Sequence, residues 1–250
     1  MRAHELSAAW SRVVAEVVQS CERHGRNSDE VSIIAVTKGF PASDIRMLAD
    51  LGVTDIGESR DQEAAQKHFE LHTLGLRWHC IGQVQTNKVR SIVEWADVIH
   101  SVDRLRLVHR LGELMPDGRT MDVLIQVSLN TDPDGQVAVG NSTVPETDIG
   151  ERRPILQDGR GGVGRAEVSE LVAAVVAESR LRLVGIMSVA PLGVEPGGYF
   201  TNVARLLADI RATVSSANMF SAGMSGDFDA AIAAGATHLR IGSAILGSRL

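Results

Sequence analysis

Cysteine occurs only twice in this sequence, as Cys21 and Cys80, with no spacing that would hold a metal or build a disulfide framework. Two isolated thiols exclude a disulfide scaffold and a Cys-rich zinc site, and they suit a reducing compartment. Long apolar runs are missing too: nowhere do about 18 residues pass without a charge, as a membrane span would require. Glu5, Arg12 and Glu16 interrupt the N-terminal stretch that a secretory signal would need. The expected location is therefore the cytoplasm, without a membrane partner. Positive charge is not in excess either, since 25 Lys and Arg face 31 Asp and Glu, for a formal net charge of -6. That balance speaks against nucleic acid, whose phosphates are held by concentrated Lys and Arg. The eight histidines show no His-Glu-x-x-His or comparable ligand spacing, so no metal site is expected.

What is present is ordinary for a globular protein: 250 residues, 44% of them hydrophobic. That length allows two domains or one α/β barrel of about 250 residues. Residues 4–24 place Leu6, Trp10, Val13, Val14, Val17 and Val18 at helical spacing ahead of Gly25 and Asn27, which predicts an opening amphipathic helix. Short β-branched runs then recur at 31–37, 53–56, 78–81, 98–102, 123–127, 183–189, 219–221 and 238–241. Segments of helical period fall between them at 43–51, 61–71, 87–95, 104–114, 168–177, 199–215 and 227–234. This alternation calls for a parallel sheet with helical crossovers, and a (β/α)8 TIM-type barrel spanning residues 1–250 as a single domain is its simplest closure. An open doubly wound sheet is the alternative architecture. Little chain follows the eighth run, so the extra N-terminal helix is expected to fill the gap in the outer ring. Residues 130–165, rich in Gly, Asp, Pro, Thr and Arg, read as a long mobile insertion after the fifth strand.

In such a barrel the chemistry lies at the C-terminal ends of the strands. Alternation along the first run puts Ser32, Ile34, Val36 and Lys38 on one side, so Lys38 would crown the barrel. A lysine there is either nucleophilic, because burial favours its neutral form, or a surface residue with its stem on apolar neighbours. Gly223-Met224-Ser225-Gly226 and Gly242-Ser243 follow the seventh and eighth runs. Their exposed backbone N–H groups suit a phosphate, although such turns are also ordinary capped turns. Arg240 points inward near the same mouth and needs an acceptor. His79 reads as an interior histidine with its hydrogen bonds satisfied, Met187 as core, and Glu58 and Ser59 as a helix cap.

A lysine on strand one, a phosphate cradle after strands seven and eight and an inward arginine fit an aldehyde cofactor held as a Schiff base and anchored by phosphate. Here the sequence resembles the pyridoxal phosphate homeostasis proteins, single-domain relatives of the alanine racemase barrel. The likeness runs through Ala35-Val36-Thr37-Lys38, Ile56-Gly57-Glu58, Trp78-His79-Cys80-Ile81-Gly82, Gln85-Thr86-Asn87-Lys88 and His100-Ser101-Val102-Asp103. It continues through Gly185-Ile186-Met187, Gly223-Met224-Ser225 and Arg240-Ile241-Gly242-Ser243. The resemblance implies pyridoxal 5'-phosphate bound to Lys38, with Ser225, Gly226, Gly242 and Ser243 as the phosphate cradle. It further implies Arg240 facing the pyridine nitrogen and Met187 near the ring. Ser59 stands where the family usually has Asn.

The family is regarded as cofactor carriers, so the resemblance implies intracellular homeostasis or delivery to apo-enzymes, with no catalytic residues of its own. An amino acid racemase is the alternative. It would need a second base opposite Lys38, for which His79, Cys80 and Tyr199, the only tyrosine, are the candidates. A barrel enzyme of phosphorylated sugars, with Lys38 condensing on substrate, is the third reading.

Overall fold

The structure, a computed structural model, describes residues 1–129 and 161–247. The chain opens with α1 (Arg2–Arg23) and then alternates strand and helix. The order is β1 (Ser32–Val36), α2 (Ala42–Asp50), β2 (Asp55–Glu58), α3 (Asp61–Leu71), β3 (Arg77–Cys80), α4 (Val89–Trp95), β4 (Val98–Val102), α5 (Leu105–Leu114) and β5 (Met121–Val127). After the undescribed stretch follow α6 (Arg165–Ala177), β6 (Leu181–Ser188), α7 (Pro196–Arg211), β7 (Met219–Ser221), α8 (Phe228–Ala233), β8 (His238–Ile241) and α9 (Ser243–Leu246). The eight strands lie in chain order in a closed parallel barrel, sealed where Ile34 sits opposite Arg240 across β1 and β8. The barrel expectation holds, and the open doubly wound sheet is excluded by that last pairing.

Strand periodicity sorts the side chains into two layers. Outward residues such as Ile56, Trp78, Ile99, Ile125 and Phe220 meet the apolar faces of the helices in one large core. At about 1.5–3 kcal/mol for each large apolar side chain taken from water, this layer is the main driving force for closure. Inside, Val98, Leu124, Val184, Met187 and Met219 form a smaller cluster. The interior is narrow near β1 and β2, where a Cβ on Gly57 would stand 2.9 Å from Ile34 Cγ2. Gly185 has a different cause: on β6 it pairs with Met219 of β7, and a side chain there would run into the Met219 carbonyl.

The ring of helices closes as expected. The helix after β8 has only four residues, and α1 covers that gap with Leu6, Val13, Val17 and Cys21 buried. Polar ties fix it at both ends. Arg2 donates to Asp44 on α2 at 2.6 Å and to the Leu246 carbonyl at 3.1 Å, while Ser20 and Arg23 both donate to Asp229 on α8 at 2.6 Å. Those bonds hold the Asp229 carboxyl down to about 2.

The expected mobile insertion falls at 130–160 outside the described residues. Its last five positions, 161–165, are in ordered structure and need a correction. Val163 bridges in parallel to Val127, Gln126 Nε2 donates to the Gly161 carbonyl at 2.6 Å, and α6 begins at Arg165. Glycines masked the pairing, because backbone hydrogen bonds leave no mark in side-chain pattern.

Candidate functional site

Lys38 lies just past β1, half-buried, in the loop that leads to α2. Its two neighbours are clamped from below. Thr37 Oγ1 donates to Glu58 Oε1 at 2.7 Å. The ammonium of Lys67 on α3 donates to the Thr37 carbonyl at 2.9 Å, to Glu58 Oε1 at 2.7 Å and to Glu63 Oε1 at 2.5 Å. Gly39 N–H in turn donates to Glu63 Oε1 at 2.5 Å. Burial pushes the Glu58 carboxyl up, against the pull of Lys67 and Thr37. Partial burial works the same way on Glu63, yet Lys67 and the Gly39 N–H hold it below its ordinary value. Glu58 Oε2 is buried without a hydrogen-bond partner. The capping role expected for Glu58 and Ser59 is thus wrong. The N-cap of α3 is Arg60, without a side-chain cap, and Glu58 turns outward into this ion cluster because its side chain alternates with inward Gly57. Ser59 instead packs its backbone against Gly82, where a side chain would collide with the Ser59 carbonyl. Beside it opens a cavity of about 420 Å³ lined by Ser59, Arg60, Cys80, Gln83 and Lys88.

Across the mouth, the loops after β7 and β8 meet. Ser243 Oγ donates to Ser225 Oγ at 3.3 Å, and Gly242 lies against Val36 of β1, where a Cβ would sit 3.3 Å from the Val36 Cβ. Gly226 faces open space, with no atom within 4 Å of an added Cβ. Two details differ from expectation. Asp227 accepts the Met224 N–H at 2.6 Å, so that amide is already used. The helix that follows has six residues, too short for much of a macrodipole.

Arg240 points inward as alternation required and is 5% exposed. It donates to Ser221 Oγ at 2.7 Å and to the Ser188 carbonyl at 2.9 Å. Burial lowers the guanidinium to about 10, and among the described residues no carboxylate forms an ion pair with it. Met187 is buried at 3% exposure and lies in register with Ser221 on the adjacent strand. The seven residues singled out in the sequence therefore stand on or just past β1, β6, β7 and β8, all toward the C-terminal mouth.

Below Arg240 a polar column descends the barrel. His100 Nδ1 lies 3.0 Å from Ser221 Oγ, His100 Nε2 lies 2.8 Å from His79 Nδ1, and His79 Nε2 lies 2.8 Å from Asp55 Oδ1. His79 is the satisfied interior histidine expected. Ser221, His100 and Asp55 were missed as members of the site, although strict alternation with inward Val98 and Met219 would have turned His100 and Ser221 inward. Tyr199 is fully buried behind the wall. Its hydroxyl lies 2.8 Å from Ser188 Oγ and accepts the Leu129 N–H at 3.4 Å. Cys80 belongs to the outer core, and burial pushes its thiol up to about 12.

No protein-family model matches the chain. Full-length relatives are nonetheless clear. The chain is 36% identical over 264 residues to the pyridoxal phosphate homeostasis protein of Mycobacterium tuberculosis strain H37Rv, covering 98% of this chain and 92% of that protein. This chain belongs to the pyridoxal phosphate homeostasis protein family. Its barrel is also similar to PipY of Synechococcus elongatus PCC7942 with PLP bound, at TM-score 0.71 and 31% identity, covering 94% of this chain and 100% of PipY. Alanine racemase from Corynebacterium glutamicum matches at TM-score 0.66 and 16% identity, covering 97% of this chain and 60% of the racemase. That likeness shows a shared barrel fold alone. Among the described residues, no group of three or more His, Cys, Asp or Glu is arranged to hold a metal, and no helix is long and apolar enough to cross a membrane.

Proposed function

We propose that this chain is a single-domain cytoplasmic carrier that holds pyridoxal 5'-phosphate through Lys38 and passes it to apo-enzymes. The observation that carries this reading is the mouth itself, where a buried arginine that pairs with no carboxylate among the described residues stands beside two loops of small hydroxyl and glycine residues. That donor set fits an aromatic phosphate ester. Ser225 and Ser243 would supply hydroxyls, and Gly226 and Gly242 close backbone approach, to the phosphate. Arg240 would face the pyridine nitrogen, and Met187 would pack near the ring. When bound, the cofactor would supply an aldehyde, and Lys38 would supply the amine that holds it.

The carrier reading is favoured over a racemase by what the neighbouring residues can do with protons. A racemase moves the α-proton between two faces and needs a base on each. Tyr199 is turned away behind β5 and β6, Cys80 is an outer-core thiol with a raised pKa, and His79 is enclosed between His100 and Asp55. Arg240 adds a second obstacle, because a guanidinium disfavours a protonated ring nitrogen and so weakens the electron sink. Purified protein loaded with pyridoxal phosphate is therefore expected to exchange no amino acid α-hydrogen with deuterated water above the free-cofactor rate.

Affinity tests the cradle. Ser225→Ala deletes one donor to a charged phosphate, worth about 1.5–3 kcal/mol, and is expected to weaken binding about 10- to 150-fold with the visible spectrum unchanged. Equilibrium titration checks this. Parental affinity in the variant would move the phosphate elsewhere.

A further inference from the structure

The column beneath Arg240 has a direction, because its two ends cannot exchange roles. At the upper end a guanidinium only donates; at the lower end an ionised carboxylate only accepts. Asp55 is held below its ordinary value, against its burial, by His79 and Thr54. With both imidazoles neutral, one arrangement alone makes every bond. Arg240 donates to Ser221, the Ser221 hydroxyl donates to His100 Nδ1, His100 Nε2–H donates to His79 Nδ1, and His79 Nε2–H donates to Asp55.

Neutral rings are what the surroundings favour. Burial lowers His100 well below its ordinary value and His79 in addition pushes it down; burial also lowers His79, outweighing Asp55. The charged groups near the two rings come from several strands. They are Asp55 on β2, Arg77 on β3, Asp97 ahead of β4 and Arg240 on β8, with the titratable His238 also on β8. Asp122 on β5 pairs with Arg77 at 3.0 Å and with Arg182 at 2.6 Å, and Asp97 accepts the Trp78 N–H at 2.8 Å. His238 is itself lowered to about 4 by burial. Asp55 is left as the carboxylate in contact with the column.

We propose that Ser221 and His100 are positioning residues for Arg240: the one-way chain Asp55–His79–His100–Ser221 makes Ser221 an obligatory acceptor and so locks the guanidinium that faces the cofactor ring. This rests on the function proposed above. Asp227 is the carboxylate whose charge pulls on the Arg240 guanidinium. The second tie of Arg240, to the Ser188 carbonyl, fixes one nitrogen only. Because an arginine does not give up its proton, the chain transmits orientation and carries no proton to the mouth.

The first test needs no cofactor. Histidine ¹⁵N spectra of the unloaded protein are expected to show His79 and His100 both as the Nε2–H tautomer, with shifts that stay flat between about pH 6 and 8, where an ordinary histidine titrates. An Nδ1–H tautomer or a titration in that range at either residue would overturn the chain's direction. The second test loads the protein with pyridoxal 5'-phosphate. Ser221→Ala is expected to weaken binding about tenfold and to shift the visible band, while Ser221→Thr, which keeps the hydroxyl, stays within about twofold. If the parent binds through Lys38 but Ser221→Ala matches it in affinity and spectrum, the positioning role is wrong. If the tautomers are as expected and the parent takes up no cofactor, the chain stands as a structural column. The binding reading, and with it the role toward the cofactor, then falls.

Discussion

Lys67→Met is expected to lower the unfolding free energy by about 3–5 kcal/mol, the range for removing one partner of a buried ion pair. The ammonium it deletes is the hub for Glu58, Glu63 and the Thr37 carbonyl, and the Lys67 and Glu58 side chains are 7% and 0% exposed. Methionine fills similar space but leaves Glu58 buried without a cation. The sign with pH follows from Glu58. Its folded pKa is raised above the unfolded value, so its contribution to stability is fully present below the unfolded pKa, roughly 4.3, and is lost as pH rises through the folded one. Without Lys67 that shift widens. The deficit of the variant should therefore be largest near neutrality and shrink on acidification, as Glu58 takes up its proton. Denaturant titrations of both proteins at about pH 7 and about pH 5 check this. A loss under about 1 kcal/mol, typical of exposed pairs, or a deficit independent of pH, would show that the cluster does not carry the β1–α2 loop.

Lys38→Ala is expected to do the opposite: leave the fold nearly untouched and remove the cofactor. Lys38 is half-buried in a loop whose neighbours Thr37 and Gly39 are held by Glu58 and Glu63. Thermal unfolding should shift little. Retention of pyridoxal phosphate should fall by about a hundredfold or more, equivalent to ~2.7 kcal/mol, with loss of the visible band. Absorbance after gel filtration measures it. A variant that stays yellow at the parental stoichiometry would place the attachment on another lysine.

These two lysines also mark how far the sequence could be read. Lys38 was legible because its position at the end of an alternating strand is a local property. So were Arg240 and the barrel as a whole, since eight β-branched runs spaced by helical segments admit few closures. Lys67 was not legible. It sits among polar residues of α3 and looks like any solvated helical lysine until β2 turns Glu58 outward beneath it. His79 was legible as an interior histidine, but its column partners Ser221, His100 and Asp55 were missed for the same reason, as they come from three other strands. Glu58 misled in the other direction, because a carboxylate just before a helix suggests a cap. Pairwise contacts between strands far apart in sequence leave no periodic trace, and the interior of a barrel consists of them.

Borohydride reduction followed by peptide mapping tests the central claim most directly. Protein loaded with pyridoxal 5'-phosphate should bleach on reduction, and the fixed cofactor should be recovered, one per chain, on the peptide that contains Lys38. Recovery on Lys67 or Lys88 with Lys38 unmodified, or no covalent label at all, would contradict the account.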